Sequence, residues 1–203
     1  MRPNQGLIIG ISGASGAIYG IRLLEVLQEI NIATHLILSR AAERTIELET
    51  DYAVDQIKKM ATVCYDLDDI AAPVSSGSFK GTRGMVILPC SIKTLSALAN
   101  SFNVNILIRA ADVTLKERRR LVVAVRETPL HRGHLELMLR LTDMGAILFP
   151  PVPAFYHRPR DLEDIIRHSI GKILDLFDIE VPDFKRWEGV MDSPEVRQQP
   201  ERD

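Results

Sequence analysis

Small residues follow the first apolar run of the chain, in the segment Gly10-Ile11-Ser12-Gly13-Ala14-Ser15-Gly16. Because small side chains let backbone N–H groups approach a ligand, such a turn before a helix favours the binding of an anion. The glycines are spaced as G-x-x-G-x-x-G and not as the G-x-G-x-x-G of dinucleotide sites. The segment therefore predicts a turn that binds a single phosphate, with a tight turn that binds no ligand as the alternative.

Two later segments also place polar side chains at the end of an apolar run. Ser91 and Thr94 flank a predicted helix start, where they either cap the helix or hold a second part of the same ligand. Arg126 and Glu127 follow a predicted buried strand. Because buried charges are costly unless they are paired, this pair is expected to have a partner or a role in binding.

These segments lie at strand ends in a predicted doubly wound α/β fold. Short apolar runs alternate with amphipathic stretches, which is typical of a Rossmann-like or flavodoxin-like, mostly parallel sheet with helices on both faces. The predicted strands are Gly6–Ser12, Ala33–Ser39, Met85–Leu88, Leu121–Val125 and Ala146–Phe149, with a possible strand at Val63. The first predicted helix has its apolar positions from Ile18 to Ile30. The other predicted helices cover Ala41–Glu49, Asp55–Met60, Ile92–Asn100, Ile106–Arg119, His131–Met144 and Leu162–Phe177. Ligands bind at the carboxyl ends of strands in such sheets, so the three segments are expected to face one site.

The composition bounds the class of protein. The chain has 203 residues, a net charge of -2 and 46% apolar residues, which is ordinary for a globular domain. We predict one domain over residues 1–190 and a polar, disordered tail over residues 191–203. The charge gives no reason to expect nucleic acid, and the apolar runs are too short to span a membrane. With no signal-peptide pattern, Cys64 and Cys90 indicate reduced thiols in a cytoplasmic protein.

The sequence predicts no metal site. Asp66, Asp68 and Asp69 form its one dense acidic cluster, which is more typical of a cap on a short helix than of magnesium ligands. The histidines lack the spacing of zinc ligands, and His131 and His134 are three residues apart, as on one exposed helix face.

Eight segments, in order along nearly the whole chain, resemble the UbiX flavin prenyltransferase family. They are Gly13–Gly16, Leu48–Asp51, Ser75–Ser78, residues 89–99 (PCSIKTLSALA), Arg109–Asp112, Leu115–Arg119, residues 125–131 (VRETPLH) and Pro153–His157. Each segment is weak alone, whereas the ordered set is specific. Arg120 departs from the pattern, because the family often has proline there.

The resemblance implies an enzyme that joins a dimethylallyl group from dimethylallyl phosphate to N5 and C6 of reduced FMN. The product would be the prenylated FMN cofactor of UbiD-type decarboxylases, in ubiquinone or phenolic acid pathways, so such a decarboxylase is the implied recipient. The family needs no metal, since fixed cations stabilise the leaving phosphate. Its members are homo-oligomers with sites at subunit contacts.

The resemblance also implies roles for individual residues, and it implies that residues 1–190 form a single FMN-binding domain. The leaving phosphate would contact Lys116, Arg126, Tyr156 and Lys172, with Glu127 orienting the cations. FMN would contact Gly13, Ala14, Ser15, Ser39, Ser91, Ile92, Lys93, Thr94 and Arg126. Ser15 and Glu49 would relay the proton lost on ring closure, since a carboxylate in apolar surroundings can have a raised pKa. Trp187 would cover the allyl group or pack in a subunit contact.

Structural roles remain as alternatives for several of these residues. Ser39 can be a helix N-cap, and Glu49 can be an exposed carboxylate at a helix end. The basic run Lys116–Arg120 can complement the dipole of a helix C-terminus, which suits Arg118–Arg120 better than Lys116.

Two other functions are compatible with the same fold. An FMN-dependent cysteine-type decarboxylase would carry a Pro-x-Met-Asn motif in a substrate loop, and the sequence has none. A non-catalytic, FMN-binding subunit of an aromatic acid decarboxylase would not require a second phosphate site. The cations assigned to that second phosphate therefore favour the prenyltransferase.

Overall fold

The computed structural model describes residues 5–182, 184 and 186. Its strands are β1 (Gly6–Ile11), β2 (Thr34–Leu38), β3 (Val63–Tyr65), β4 (Thr82–Cys90), β5 (Arg120–Val125) and β6 (Ile147–Leu148). They form one sheet in the order β3-β2-β1-β4-β5-β6, and every pairing is parallel. This order is that of dinucleotide-binding folds and differs from the flavodoxin order. The predicted α/β class is confirmed, and the strand order selects its Rossmann-like form.

Helices cover both faces of this sheet. They are α1 (Ala17–Glu29), α2 (Arg40–Glu49), α3 (Val54–Met60), α4 (Ile92–Ala99), α5 (Ile106–Lys116), α6 (Arg132–Asp143) and α7 (Leu162–Asp175), with a short 3-10 helix at Pro73–Ser75. One apolar core contains side chains of α1, α2, α3 and α7, and the other contains side chains of α4, α5 and α6. In β1, Leu7 and Ile9 face the first core and Ile8 the second. The strand is buried on both faces, which is why its sequence shows no polar alternation.

Several boundaries around β4, α5, β5 and β6 differ from the prediction. The helix ends at Lys116 and not at Arg119, because Arg118 takes a left-handed φ of 56°. The amide of Arg119 then donates to the Thr114 carbonyl at 2.9 Å, which closes the helix end. The strand β5 begins at Arg120 and not at Leu121. The strand β4 begins at Thr82 and not at Met85, because Thr82 pairs with Gly6 and Gly84 pairs with Arg120. The predicted strand after residue 145 shortens to the two residues of β6.

The remaining predictions concern the ends of the chain and the membrane. No helix among the described residues is long and apolar enough to cross a membrane. The predicted tail over residues 191–203 and Trp187 lie outside the described residues. Between β1 and β4 the strand order reverses, so the crevice at their carboxyl ends is the place where this class of sheet binds ligands.

Candidate active site

The carboxyl ends of β2, β1 and β4 are joined side by side by backbone hydrogen bonds. The Ser39 amide, just after β2, donates to the Ile11 carbonyl at the end of β1, at 3.0 Å. The Ser12 amide, just after β1, donates to the Pro89 carbonyl in β4 at 3.1 Å. The residues that follow the three strands therefore begin at one edge of the sheet.

The hydroxyl of Ser12 adds a second link between the first two predicted segments. Ser12 is fully buried, and its Oγ donates to the Pro89 carbonyl at 3.0 Å and accepts from the Ser91 amide at 2.7 Å. The third segment joins the same edge, since the Arg126 amide donates to the Cys90 carbonyl at 3.0 Å. The three segments singled out in the sequence are thus neighbours at the switch point of the sheet.

The turn between β1 and α1 approaches its surroundings very closely. A Cβ atom on Gly13 would lie 2.3 Å from the Cβ of Ala41, so the turn packs directly on the first turn of α2. Gly16 has a φ of 97°, a left-handed conformation that glycine adopts without strain. Ala14 between them is buried. Packing alone therefore explains Gly13, and backbone conformation explains Gly16.

A carboxylate lies at the start of α1. The Gly16 amide donates to Oε2 of Glu49 at 2.8 Å, so this carboxylate contacts the turn that carries the exposed Ser15. The helix dipole favours negative charge at this position. Glu49 is nevertheless exposed, so the apolar surroundings that the prediction assumed are not found within one chain.

The two N-cap serines have the structural role that was left open for them. Oγ of Ser39 accepts from the third backbone amide along α2 at 3.0 Å. Oγ of Ser91 accepts from the Thr94 amide at 3.3 Å and donates to Oγ1 of Thr94 at 3.2 Å. Ile92 is half-buried and Lys93 is exposed on the first turn of α4. Both helix starts open onto the same edge, so capping and ligand binding remain compatible.

Arg126 and Glu127 are exposed, and this corrects the expectation of a buried charge pair. The chain leaves the sheet directly after Val125, so neither side chain enters the core. Glu127 accepts through Oε1 from the Thr128 amide at 3.0 Å and so binds its own turn. No desolvation cost within the chain therefore demands a partner for Arg126.

Tyr156 and Lys172 meet at α7. The Tyr156 hydroxyl lies 2.7 Å from Nε2 of His168, which is buried on α7. Lys172 follows one helical turn later and is exposed. Burial lowers the pKa of His168, and electrostatic interactions with His157 and Lys172 lower it further. Two of the predicted phosphate residues are therefore grouped around one neutral imidazole.

Lys116 lies at the opposite edge of the sheet from Arg126. It ends α5, four residues before the start of β5, whereas Arg126 follows the end of that strand. A six-residue strand spans about 20 Å. Nζ of Lys116 is 2.5 Å from Oε1 of its neighbour Glu117. One chain therefore does not bring Lys116 to Arg126.

The acidic cluster caps turns and not a helix, which corrects one detail of the prediction. Asp66 accepts from the Asp68 amide at 2.9 Å, and Asp69 accepts from the Ala71 amide at 3.1 Å. Asp68 pairs with Arg40 at 2.6 Å. Among the described residues, no group of three or more histidine, cysteine or acidic side chains could hold a metal ion.

The two histidines of α6 only partly match the predicted exposed face. His131 is exposed and caps the helix, whereas His134 is half-buried with its ring centroid 3.6 Å from that of His131. This close contact is between two rings and includes no carboxylate or thiol.

Two residues of this site were not assigned from the sequence. Ser12 stood within the first segment, and a serine at the end of a buried strand indicates a hydrogen-bond partner, since buried hydroxyls are paired. His168 precedes Lys172 by four residues on α7, so the two side chains share a helix face. The helical spacing was a usable signal for His168, but the contact with Tyr156 required the fold.

A sheet in this strand order, with a glycine turn and two helix starts at its switch point, defines a nucleotide-binding or flavin-binding α/β protein. The family model described as Flavoprotein matches residues 1–178. A protein described as flavin prenyltransferase UbiX from Thauera aromatica is 60% identical over 183 residues, which cover 90% of this chain and 94% of the relative. The chain belongs to the flavoprotein family and, within it, to the UbiX flavin prenyltransferases.

Two solved structures share this fold closely. AnUbiX in complex with FMN and dimethylallyl pyrophosphate has a TM-score of 0.90 at 47% identity, covering 93% of this chain and 100% of that one. A dodecameric FMN-dependent UbiX-like decarboxylase from Escherichia coli O157:H7 has a TM-score of 0.88 at 45% identity, covering 91% and 100%.

Proposed function

We propose that this protein is a flavin prenyltransferase that transfers a dimethylallyl group from dimethylallyl phosphate to N5 and C6 of reduced FMN. The observation that carries the proposal is the carboxyl edge, where the residues after β2, β1, β4 and β5 are neighbours. The UbiX relatives and the complex of AnUbiX with FMN and dimethylallyl pyrophosphate support the same chemistry.

The residues at this edge fit FMN, the acceptor substrate. The turn Gly13–Ser15 and the start of α4 at Ser91–Thr94 present backbone amides and hydroxyls, which suit a phosphate and a polar ring edge. Ser39 adds a hydroxyl at the start of α2, and Arg126 adds an exposed cation. Bound reduced FMN supplies the nucleophilic ring, and its electron-rich face stabilises an allylic cation.

The leaving phosphate is met by cations in place of a metal. As the C–O bond of the substrate breaks, negative charge grows on the phosphate, and donors fixed in advance stabilise it. Lys172 and Tyr156 are grouped at α7, and Arg126 is exposed at the end of β5, with Glu127 beside it to orient the cation. These groups support transfer without magnesium.

Lys116 joins this site from a neighbouring subunit. Its position at the far edge of the sheet separates it from Arg126 within one chain. In a closed homo-oligomer, one edge of a subunit can contact the other edge of the next. The dodecameric relative from Escherichia coli O157:H7 supports such an assembly.

We further propose that the product passes to a UbiD-type decarboxylase in the cytoplasm. The two free cysteines, Cys64 and Cys90, support a reducing compartment. One FMN-binding domain over residues 1–190 remains the proposed domain organisation.

The proposal is tested by mixing the full chain with reduced FMN and dimethylallyl phosphate under anaerobic conditions in EDTA. We expect the mass of FMN to rise by one prenyl group and the protein to select FMN over FAD. Unchanged FMN would indicate a non-catalytic flavin subunit, and activity that requires added magnesium would contradict the metal-free site.

A further inference from the structure

The hydroxyl of Tyr156 lies between solvent and a buried imidazole. Tyr156 is 44% exposed, whereas its partner His168 is 8% exposed, and Nε2 lies 2.7 Å from the hydroxyl oxygen. The two rings meet nearly edge to face, with centroids 5.2 Å apart and planes at 80°. A hydroxyl in this position can contact a ligand on one side and the imidazole on the other.

A second imidazole fixes the plane of the first. The ring of His157 stacks on that of His168 with centroids 4.2 Å apart and an angle of 2° between the planes. His157 directly follows Tyr156 in the chain, and the centroids of these two rings are 5.7 Å apart. Because the stack restricts rotation of His168, the direction of its Nε2 is set before any ligand arrives.

We propose that His168 is a positioning residue for the transfer reaction. In this arrangement its Nε2–H donates to the Tyr156 hydroxyl oxygen, and the phenolic hydrogen is directed to an oxygen of the prenyl phosphate. The inference rests on the proposed function, in which Tyr156 faces that phosphate.

The direction of the hydrogen bond decides what Tyr156 offers to an anion. A tyrosine hydroxyl has one hydrogen to donate. If Nε2 of His168 accepted that hydrogen, the oxygen would present its lone pairs to the phosphate and repel it. When Nε2–H donates instead, the phenolic hydrogen is not directed at His168 and can point to the phosphate, and the donated bond also polarises the hydroxyl.

The surroundings of His168 keep the imidazole neutral, with a single N–H. Burial lowers the pKa of His168 most, and electrostatic interactions with His157 and Lys172 act in the same direction. A cavity of about 470 Å³ adjoins the two imidazoles, and its charged lining residues are Arg158, Arg160, Asp164 and Arg167. With three cations against one carboxylate in that lining, a further positive charge on His168 is disfavoured.

The tautomer can be measured independently of activity. Solid-state ¹⁵N NMR of the full chain labelled at histidine, with His168→Gln to assign the signal, should show Nε2 protonated and Nδ1 unprotonated at neutral pH. Tyr156→Phe should shift the Nε2 signal, and His35→Gln serves as a control that leaves it in place. An unprotonated Nε2 would overturn the proposal.

A double-mutant cycle shows whether His168 acts through Tyr156. We expect His168→Leu to lower kcat about 10-fold to 100-fold, the range seen when a residue that orients a ligating group is lost. Adding His168→Leu to Tyr156→Phe should cost little more, because the effect of His168 passes through the hydroxyl. His168→Gln should retain most activity, since its amide nitrogen can donate from a similar place.

The outcomes separate this inference from the proposed function. Losses that simply multiply in the double variant would contradict the role of His168 and leave the prenyltransferase intact. A wild-type chain that transfers no prenyl group would contradict the proposed function and, with it, any role of His168 in transfer. If His168→Leu does not fold, as judged by its melting temperature, the activity of His168→Gln and the ¹⁵N measurement still test the role of His168.

Discussion

At the scale of single residues, the polar groups proposed to act lie at the ends of secondary structure elements and in the loops between them. Arg126 is exposed directly after β5, and Glu49 accepts from the amide of Gly16, the residue before α1. Tyr156 is held by an imidazole from α7. Because these three side chains lie outside the two apolar cores, each can be substituted without disturbing the packing of the core. This makes single substitutions informative about chemistry and not only about folding.

Arg126→Ala should weaken both FMN binding and prenyl transfer, because the cation stands at the edge shared by both ligands. Tyr156→Phe should slow transfer and leave FMN affinity nearly intact. Removing one donor from a developing oxyanion typically lowers the rate about 10²-fold to 10³-fold. Turnover, FMN affinity and melting temperature of both variants provide the test.

Arg118→Ala is the matched control for these substitutions, because Arg118 is exposed in the basic run after α5. Arg119 is unsuitable, although the sequence places it at a solvated helix end, since it donates to the Gly77 carbonyl at 3.0 Å. Normal turnover in Tyr156→Phe, or equal losses in Arg118→Ala and Arg126→Ala, would contradict the assigned phosphate contacts.

Glu49→Gln should separate the two bonds that the reaction forms. Bond formation at N5 needs a stabilised leaving phosphate, whereas closure at C6 also needs a base that removes a ring proton. We expect N5-linked product to accumulate and closure to slow, as followed by absorbance and proton NMR of the released flavin. Closure at the wild-type rate would show that Glu49 only caps α1. Glu47→Gln, an exposed change on the same helix, is the control.

At the scale of secondary structure elements, the site depends on how β1 and β4 are joined. The buried hydroxyl of Ser12 links the Pro89 carbonyl to the Ser91 amide, which begins α4. The turn before α1 and the turn before α4 are therefore held in a fixed relation. Both turns carry residues proposed to bind FMN, so this link affects stability and binding together.

Ser12→Ala should destabilise the protein and weaken FMN binding. The change leaves the half-buried Ser91 amide without its hydroxyl partner, and an unsatisfied buried group costs about 1–3 kcal/mol. Urea unfolding and FMN titration measure the two effects. Ser78→Ala, an exposed serine in a loop, should change neither. An unaltered free energy of unfolding for Ser12→Ala would show that the link is unimportant.

At the scale of the whole molecule, the two edges of the sheet have different roles. The carboxyl edge carries the predicted FMN residues, and the amino edge carries Lys116. The amino edge also gathers Arg118, Arg119 and Arg120 with the C-terminal ends of α5, α6 and α7 around a cavity of about 550 Å³. Helix C-termini favour cations. Arg119 also donates to the Gly77 carbonyl and Arg120 pairs with Asp178 at 3.4 Å, so both have structural partners within the chain. Lys116 is proposed to act at a site in another subunit, and the last turn of α7, which carries Lys172, also lies toward this amino edge.

Mixed oligomers test that arrangement directly. Lys116→Ala and Arg126→Ala should each be nearly inactive, but co-expressed chains should regain activity, because some sites then receive both wild-type residues from different subunits. Random mixing in a symmetric oligomer gives about a quarter of the wild-type turnover per chain. Co-expression of Arg126→Ala with the double variant Lys116→Ala/Arg126→Ala is the control, since no chain then supplies a wild-type Arg126. No recovery in the first mixture would place Lys116 outside the site.

The sequence by itself determined the α/β class, most element bounds and the junctions at which polar residues leave the sheet. Those features follow from local periodicity, from glycine at a left-handed position such as Gly16, and from hydroxyls at helix starts such as Ser39. Only the tertiary structure decided the strand order, the contact of Tyr156 with His168 and the separation of Lys116 from Arg126. These depend on packing between residues distant in the chain, and in one α/β unit the end of a helix and the end of the next strand lie at opposite edges. The basic run Lys116–Arg120 shows the limit most plainly, because its charges are visible in the sequence but the edge they occupy is not.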